Sequence, residues 1–381
     1  MTGLARAERA DRAEHAGRAG LGGPGGPGGP ANRAGRRSKP RIALLAASAA
    51  LLLAVIAGVC IGPADLSPAA VAEAILVRMP WHPDLAVPAL NAAIVWQIRL
   101  PRVILGVLVG SMLAGGGASY QGIFRNPLAD PYLLGVAAGA GLGATIVVVS
   151  GFSQALLPPA AFAGGAVAVG LTYLLGASAG RSGQSAVTGG GTGSILLAGI
   201  AVAALLTAFQ TYLQQQHTQD LVAVYSWILG GLSGASWAQV GLILPYLAVS
   251  AVALLAHRRL LDVLRVGETE AASLGVDVAR LRLTVVIAAT LGVAAAVAVS
   301  GLIGFVGIIV PHAVRLIAGP SYRMLLPVSM IGGAAFLVLA DVLARTVQSP
   351  NEVPIGVITA IIGAPFFLFV LRSRRARQDL S

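Results

Sequence analysis

Long apolar runs recur along almost the whole chain, and they constrain its fold more than any other feature. They lie at about 42–61, 102–120, 131–150, 155–176, 194–214, 238–256, 281–300, 302–318, 324–344 and 354–371. Each is close to the ~20 apolar residues with which a helix crosses a bilayer. Only 11% of the 381 residues are charged, whereas a soluble domain has roughly 25%. The pattern predicts an all-α polytopic membrane protein with about ten transmembrane helices in residues 42–371.

The stretch 281–318 decides whether the chain has nine spans or ten. Its length would suit one long helix, but Ser300-Gly301, Gly304, Gly307 and Pro311 interrupt it. These residues weaken a continuous helix, so we predict a break and two spans. Nine spans would also leave the basic carboxyl-terminal tail, 372–381, outside the cell, against the positive-inside bias. We therefore expect both termini to be cytoplasmic.

The arginines divide unequally between the two sides of a ten-span chain. The cytoplasmic side receives those within 33–41, Arg125, Arg181, five between 258 and 282, Arg315, Arg323 and four in the tail. The outer side keeps only Arg78, Arg99, Arg102 and Arg345. Because outer loops are normally depleted of positive charge, these few outer arginines are candidates for a specific use.

The two ends of the chain differ from the apolar runs between them. Residues 1–41 are rich in Ala, Arg, Gly and Pro and too poor in apolar residues to fold, so we predict a disordered cytoplasmic tail. The run that follows is too long for the apolar region of a signal peptide and is predicted to be the first membrane anchor. The net charge of +11 arises from loops and tails, as membrane topology requires, so we expect contact with lipid and no binding of nucleic acid.

Ion-coupled transport usually requires ionisable side chains within the membrane spans, which bind and release the coupling ion. The predicted spans contain almost none. Asp341 is the exception, and its position one turn before Arg345 predicts a local ion pair. A phosphate-binding loop needs a lysine, but the only lysine is Lys39 in the tail. The single cysteine, Cys60, excludes multi-cysteine metal sites. We expect no catalytic site, metal or cofactor, so driven transport would require a motor on another polypeptide.

A densely charged loop at 257–282 interrupts the spans on the predicted cytoplasmic side. It contains the run Gly267-Glu268-Thr269-Glu270-Ala271-Ala272-Ser273-Leu274-Gly275. A glycine after a short helix-forming run is typical of a helix carboxyl terminus. The small side chains of Ala271 and Ala272, with Leu274, would allow this helix to lie closely in a groove on a motor subunit. A solvated connector is the alternative interpretation.

Motifs spread over residues 42–375 resemble those of one transporter family. They are Arg99-Leu100-Pro101-Arg102, Leu113-Ala114, Gln121, the run from Arg125-Asn126-Pro127 to Pro131, Leu134-Gly135, Leu197-Ala198-Gly199, Trp227 to Leu232, Gly304 to Gly307 with Pro311-His312, and Pro354-Ile355-Gly356 with Gly363-Ala364-Pro365. This set resembles the FecCD-type permeases, which import iron-siderophores, haem and cobalamin. Glu270-Ala271-Ala272 followed by Gly275 is also similar to the EAA loop of ABC importer permeases, one residue shorter than usual.

The resemblance implies a type II ABC importer permease without its own ATPase site. It implies a homodimer of ten-helix subunits in the cell membrane, each docked on an ABC ATP-binding subunit, with an extracytoplasmic substrate-binding protein on the outer face. Arg99, Arg102 and Arg345 would receive carboxylates of that binding protein. The alternatives are interfacial anchoring for Arg99 and Arg102, and pairing with Asp341 for Arg345. The identity of the cargo stays open. A ferric siderophore is the first candidate, and haem and cobalamin are the others.

Arg125-Asn126-Pro127 predicts a tight inward turn, because asparagine before proline is a strong turn signal; contact with the motor would be secondary.

An ion-coupled secondary transporter or channel without an ATPase partner is the alternative function. A membrane enzyme is disfavoured because no cluster of histidines and acids lies within or beside the spans.

Overall fold

The structure is a computed structural model that describes residues 30–64, 66–78, 87–181 and 191–378. In these ranges all the regular secondary structure is helical. The helices are α1 Pro30–Cys60, α2 Pro68–Leu76, α3 Ala89–Ala93, α4 Leu100–Ile123, α5 Val136–Val149, α6 Leu157–Arg181, α7 Gly191–Gln216, α8 Leu221–Ile228, α9 Trp237–Leu264, α10 Glu268–Ser273, α11 Val278–Ser300, α12 Val306–Ala318, α13 Tyr322–Thr346 and α14 Ile355–Gln378. A π-helical turn, Ile94–Arg99, joins α3 to α4 without a break.

Each of the ten predicted apolar runs falls on a helix, which confirms the all-α class. Among the described residues, seven helical segments are long and apolar enough to cross a membrane. Three further apolar helices are shorter, at Val136–Val149, Val306–Ala318 and Ile355–Val370. The number of crossings therefore stays a prediction, because it depends on whether these three span the bilayer.

The predicted break within 281–318 is present. Helix α11 ends at Ser300, and α12 begins at Val306. Gly301 has a φ of 67°, and a Cβ there would overlap the carbonyl oxygen of Trp227. Glycine is the residue that adopts such a conformation at no steric cost. The chain therefore leaves the helix where the sequence supplies a glycine, and two separate helices result.

Helix α1 begins earlier than the sequence suggests. Residues 30–41, which we expected to belong to a disordered tail, are helical; residues 1–29 lie outside the described ranges. Pro30 occupies the first position, where a proline costs no hydrogen bond. Extending an existing helix adds one bond per residue without a new nucleation cost. The helix of the apolar span thus extends towards the amino terminus into the basic segment that precedes it.

Helix α4 forms the centre of the bundle and packs against α9, α11, α12 and α13. Glycines bring its backbone close to two of these neighbours. A Cβ at Gly117 would overlap the carbonyl oxygen of Gly307 on α12, and one at Gly110 would overlap that of Gly333 on α13. Small residues at such crossings are typical of helix packing in lipid.

The bundle has two distinct ends, because α4 and α13 run antiparallel. Arg102 at the start of α4 meets Asp341 near the end of α13, and Gly122 at the end of α4 meets Tyr322 at the start of α13. We call the first the cluster end. The second, which also carries the charged loop at 257–282, is the loop end.

Candidate functional site

Arg102 at the cluster end binds two acidic side chains. Its Nε and Nη2 donate to Asp341 Oδ1 at 2.9 and 2.8 Å. Its Nη1 and Nη2 donate to the carboxylate oxygens of Glu352 at 2.7 and 2.9 Å. Arg102 thus binds each carboxylate through two of its nitrogens, and such charge-assisted hydrogen bonds are strong and directional. Since Glu352 lies in the loop before α14, Arg102 ties together α4, α13 and the entry to the last helix.

Arg99 and Arg345 both bind the carboxyl end of α1. Arg99 Nη1 donates to the backbone carbonyls of residues 59 and 60, each at 2.8 Å, and Arg345 Nη2 donates to Gly58 O at 2.6 Å. These carbonyls have no partners within their own helix, and cations at a helix carboxyl end are favourable. Arg345 Nε lies 3.4 Å from Asp341 Oδ2, where it makes no hydrogen bond. The predicted ion pair between Asp341 and Arg345 is therefore present, but as a contact between charges without a hydrogen bond.

We call these five residues, Arg99, Arg102, Asp341, Arg345 and Glu352, the arginine cluster. Its arginines are only 2–6% exposed and Asp341 is 2% exposed. The Glu352 side chain is 33% exposed and is the accessible member. Hydrogen bonding from Arg102 lowers the pKa of Glu352 below its ordinary value. Three positive and two negative charges leave the arginine cluster with one net positive charge.

The short helix predicted in the charged loop is present as α10. It begins after Gly267 and is followed by Gly275, whose φ is 82°. Ala271 is fully buried against the bundle, whereas Leu274 is 70% exposed. Glu268 Oε1 accepts from Arg282 Nη2 at 2.6 Å, which ties α10 to α11. The helix is thus anchored on one side and presents an apolar side chain on the other.

The remaining predicted residues of this helix divide by exposure. Gly267 is buried, while Glu268, Glu270, Ala272 and Gly275 are exposed. The small residues therefore do not form one continuous surface, because Ala271 faces the bundle. The surface available to a partner consists of Ala272, Leu274 and Gly275, with the two glutamates beside them.

A tight turn follows α4, as predicted from Arg125-Asn126-Pro127. Asn126 Oδ1 accepts a hydrogen bond from Leu128 N at 2.9 Å, which is the usual way in which asparagine closes a turn. Arg125 has a φ of 49°. This left-handed conformation is uncommon for a residue other than glycine. The turn lies at the loop end, on the same side as α10.

Glu352 is a functional residue that we did not predict from the sequence. It lies in a short loop between apolar runs, where an acid has no distinctive spacing, and its partner Arg102 is 250 positions away. Its place two residues before the start of a predicted span, on the arginine-poor side, was the only available signal. Among the described residues, no group of three or more His, Cys, Asp or Glu is placed to hold a metal ion.

Comparison with known proteins assigns the chain to a family. A sequence model of the FecCD transport family matches residues 50–373. The chain belongs to the FecCD transport family. This FecCD protein is 44% identical over 300 residues to the cobalamin import system permease protein BtuC of Halobacterium salinarum, with 77% of each chain covered. Together with its apolar helices, family membership makes it a multi-pass membrane permease.

Other relatives of the FecCD protein carry different cargo names. It is 38% identical over 296 residues to the hemin transport system permease protein HmuU of Yersinia pestis, covering 74% of this chain and 85% of that one. It is also 38% identical over 281 residues to the Fe(3+) dicitrate transport system permease protein FecD of Escherichia coli, covering 73% and 85%. A solved inward-facing metal-chelate type ABC transporter superposes with a TM-score of 0.75 at 30% identity, covering 88% and 99%.

Proposed function

We propose that this chain is the permease subunit of a binding-protein-dependent ABC importer that carries an iron-siderophore across the cytoplasmic membrane, with haem and cobalamin as the other candidate cargoes. The match to the FecCD transport family over residues 50–373 carries this proposal. Relatives named for cobalamin, hemin and Fe(3+) dicitrate support the class of large chelates and favour no single member.

The proposed architecture has ten spans with both termini in the cytoplasm. It adds the three shorter apolar helices to the seven long ones, and it places the loop end inside, where most arginines lie. A second copy of the chain would complete the pathway as a homodimer. Cysteine accessibility at introduced exposed positions, such as Ser273→Cys at the loop end and Val347→Cys at the cluster end, tests this orientation with membrane-impermeant reagents.

Helix α10 is the proposed contact with the ATP-binding subunit. The chain contains no lysine suited to a phosphate-binding loop, so the energy of ATP hydrolysis must enter through a packed element. Leu274 supplies exposed apolar area for that contact, while the bond between Glu268 and Arg282 holds α10 to α11. A push on α10 would therefore reach a long, buried helix directly.

The arginine cluster is the proposed docking site for the binding protein. Because Arg102 already holds Glu352, an incoming carboxylate would have to replace Glu352, its exposed partner. Asp341 would stay in place as the buried partner. Docking would then be an exchange of one carboxylate for another, which the net positive charge of the cluster favours.

Reconstitution tests the proposed function. The chain is placed in proteoliposomes with an ABC ATP-binding subunit and a binding protein, and ATP-dependent uptake of a ferric siderophore, haem and cobalamin is measured. We expect uptake of one of the three only when both partners and ATP are present. Uptake by the chain alone that collapses with an ion gradient would instead establish the secondary transporter.

A further inference from the structure

A cleft at the loop end is walled by arginines from three separate elements. Arg125 comes from the turn after α4, Arg265 from the end of α9 and Arg315 from the last turn of α12. Gln121 and Tyr322, which are 2% and 5% exposed, also line it. Its volume is about 360 Å³. We call this set of five residues the arginine cleft.

The arginine cleft carries three positive charges. In the ranges that the structure describes, Arg125, Arg265 and Arg315 form no ion pair. The acids of the loop end have other contacts: Asp130 accepts from Tyr132 N, Asp262 from Ser321 Oγ and Tyr322 N, Glu268 pairs with Arg282, Asp277 pairs with Arg280, and Glu270 is exposed on α10. Three like charges around one cleft repel each other and attract anions.

The cleft also has features of a prepared site. Arg315 Nη2 donates to Gln121 Oε1 at 2.8 Å, and Gln121 Nε2 donates to Gly307 O at 3.1 Å. A buried amide thus fixes one guanidinium in place before any ligand arrives. Arg125 has a φ of 49°, a conformation that costs free energy and persists where the surroundings impose it. The fold therefore positions the guanidinium of Arg315 and the backbone of Arg125.

We propose that the arginine cleft binds the phosphate headgroup of an acidic phospholipid. Guanidinium groups match phosphate oxygens in bidentate geometry, and basic pockets between membrane helices are suited to lipid headgroups. Leu316 and Ile317, directly after Arg315, are 72% and 65% exposed. An acyl chain along these side chains would have its phosphate beside the cleft. The binding site is independent of which cargo the permease carries.

The chemistry of the cleft favours a phospholipid over an acidic side chain of a partner protein. A carboxylate offers two oxygens, which suit one guanidinium well. A phosphodiester with glycerol hydroxyls offers more acceptors and spreads them over a larger volume, as three separated arginines require. The exposed apolar residues next to Arg315 also fit a lipid tail, whereas they have no role in binding a single carboxylate.

Lipid binding by the full-length protein in nanodiscs tests this assignment. Nanodiscs of phosphatidylcholine with a minor fraction of phosphatidylglycerol are compared for the wild type, Arg125→Gln and Arg265→Gln by native mass spectrometry of retained lipid. Each variant should lose phosphatidylglycerol on the order of tenfold, the effect of one charge-assisted hydrogen bond. Arg259→Gln, exposed on α9 and outside the cleft, removes the same charge and should retain the lipid.

Four outcomes would overturn the assignment. If both cleft variants retain as much phosphatidylglycerol as the wild type, the cleft does not bind the lipid. If Arg259→Gln loses as much lipid as they do, the binding reflects general surface charge. Inorganic phosphate that displaces the lipid at equal phosphate concentration would identify a free-phosphate site. Loss of ATP-binding subunit association with lipid unchanged would assign the cleft to the motor. Monodisperse elution and wild-type thermal unfolding establish that Arg125→Gln and Arg265→Gln are folded.

Discussion

Arginines gather at both ends of α4, and the two groups differ in how their charge is balanced. In the arginine cluster the guanidiniums are 2–6% exposed and bind carboxylates or helix carbonyls of the chain itself. In the arginine cleft they face an open space of about 360 Å³ and form no ion pair among the described residues. A buried charge needs a partner at all times, whereas an exposed one is hydrated until a ligand arrives. Burial therefore suits the first group to holding the fold and leaves the second available for binding.

This difference changes how docking at the cluster end is best tested. Reversal of Arg99 and Arg102 to glutamate follows directly from the sequence analysis. In the structure it would also break the bonds to α1 and to Asp341. A loss of binding would then report on folding as much as on docking. Glu352 avoids the problem, because it is the accessible member of the arginine cluster.

The largest expected effect is on stability at the cluster end. Asp341→Asn removes the charge that faces Arg102 and Arg345 while keeping the shape of the side chain. Breaking one side of a buried ion pair costs about 3–5 kcal/mol. We expect a loss of this size in the free energy of unfolding, measured by denaturant titration in detergent.

The matched control is Asp277→Asn at the loop end. Asp277 pairs with Arg280 at 3.1 Å, but both side chains are more than half exposed. Asparagine also replaces aspartate well as the residue that caps α11. The control should cost no more than about 1 kcal/mol, as exposed pairs do. Equal losses in the two variants would contradict the distinction between a buried network and a hydrated surface.

The next effect concerns a partner rather than the fold. Leu274→Glu places a charge on the exposed apolar residue beside α10. If Leu274 is buried against the ATP-binding subunit, the loss is about 1.5–3 kcal/mol of burial, more than tenfold in affinity. Co-purification and ATP-driven uptake should both fall, with thermal stability unchanged. Val347→Glu, 68% exposed at the opposite end, should leave co-purification intact; normal coupled uptake in Leu274→Glu would remove α10 from the mechanism.

The sequence predicted the features of this fold that depend on neighbouring residues. Apolar runs of sufficient length became helices, Gly301 interrupted 281–318, and the run after Gly267 became α10. Each of these depends on local composition and on residues that end helices. Ser67, a residue type that favours this position, likewise caps α2. The helical start of α1 was missed because it follows from its continuity with the span, not from its own composition.

The contacts that define the arginine cluster and the arginine cleft could not be predicted from the sequence. Arg102 and Asp341 are 239 positions apart, and no spacing rule pairs them. The spacing of Asp341 and Arg345 predicted a pair, yet Asp341 makes its hydrogen bonds with Arg102. The arginine cleft draws on three arginines from distant elements, which only the packed bundle brings together. Long-range pairing of charges therefore had to come from the structure.

A smaller effect separates docking from internal pairing at the cluster end. Glu352→Gln removes the charged competitor for Arg102 without touching a buried residue. If the binding protein docks by exchange of carboxylates, its affinity should rise several-fold, up to about tenfold for one charge-assisted bond. Affinity is measured by surface plasmon resonance on the reconstituted permease. Glu270→Gln, an exposed acid at the loop end, should change nothing; weaker or equal binding by Glu352→Gln would exclude the exchange.

The smallest expected effect is the pH dependence of the stability that Glu352 contributes. Arg102 lowers the pKa of folded Glu352 below its ordinary value of 4.5, so the unfolded chain takes up this proton first as the pH falls. The stabilisation by Glu352 is therefore complete above about pH 4.5 and is lost as the pH falls through the lowered folded-state pKa. Partial exposure and salt keep the contribution small. Thermal unfolding in detergent at decreasing pH should show a shallower decline for Glu352→Gln than for wild type, whereas the exposed acid variant Glu73→Gln should follow wild type. Parallel curves for all three would mean that Glu352 does not stabilise the folded cluster.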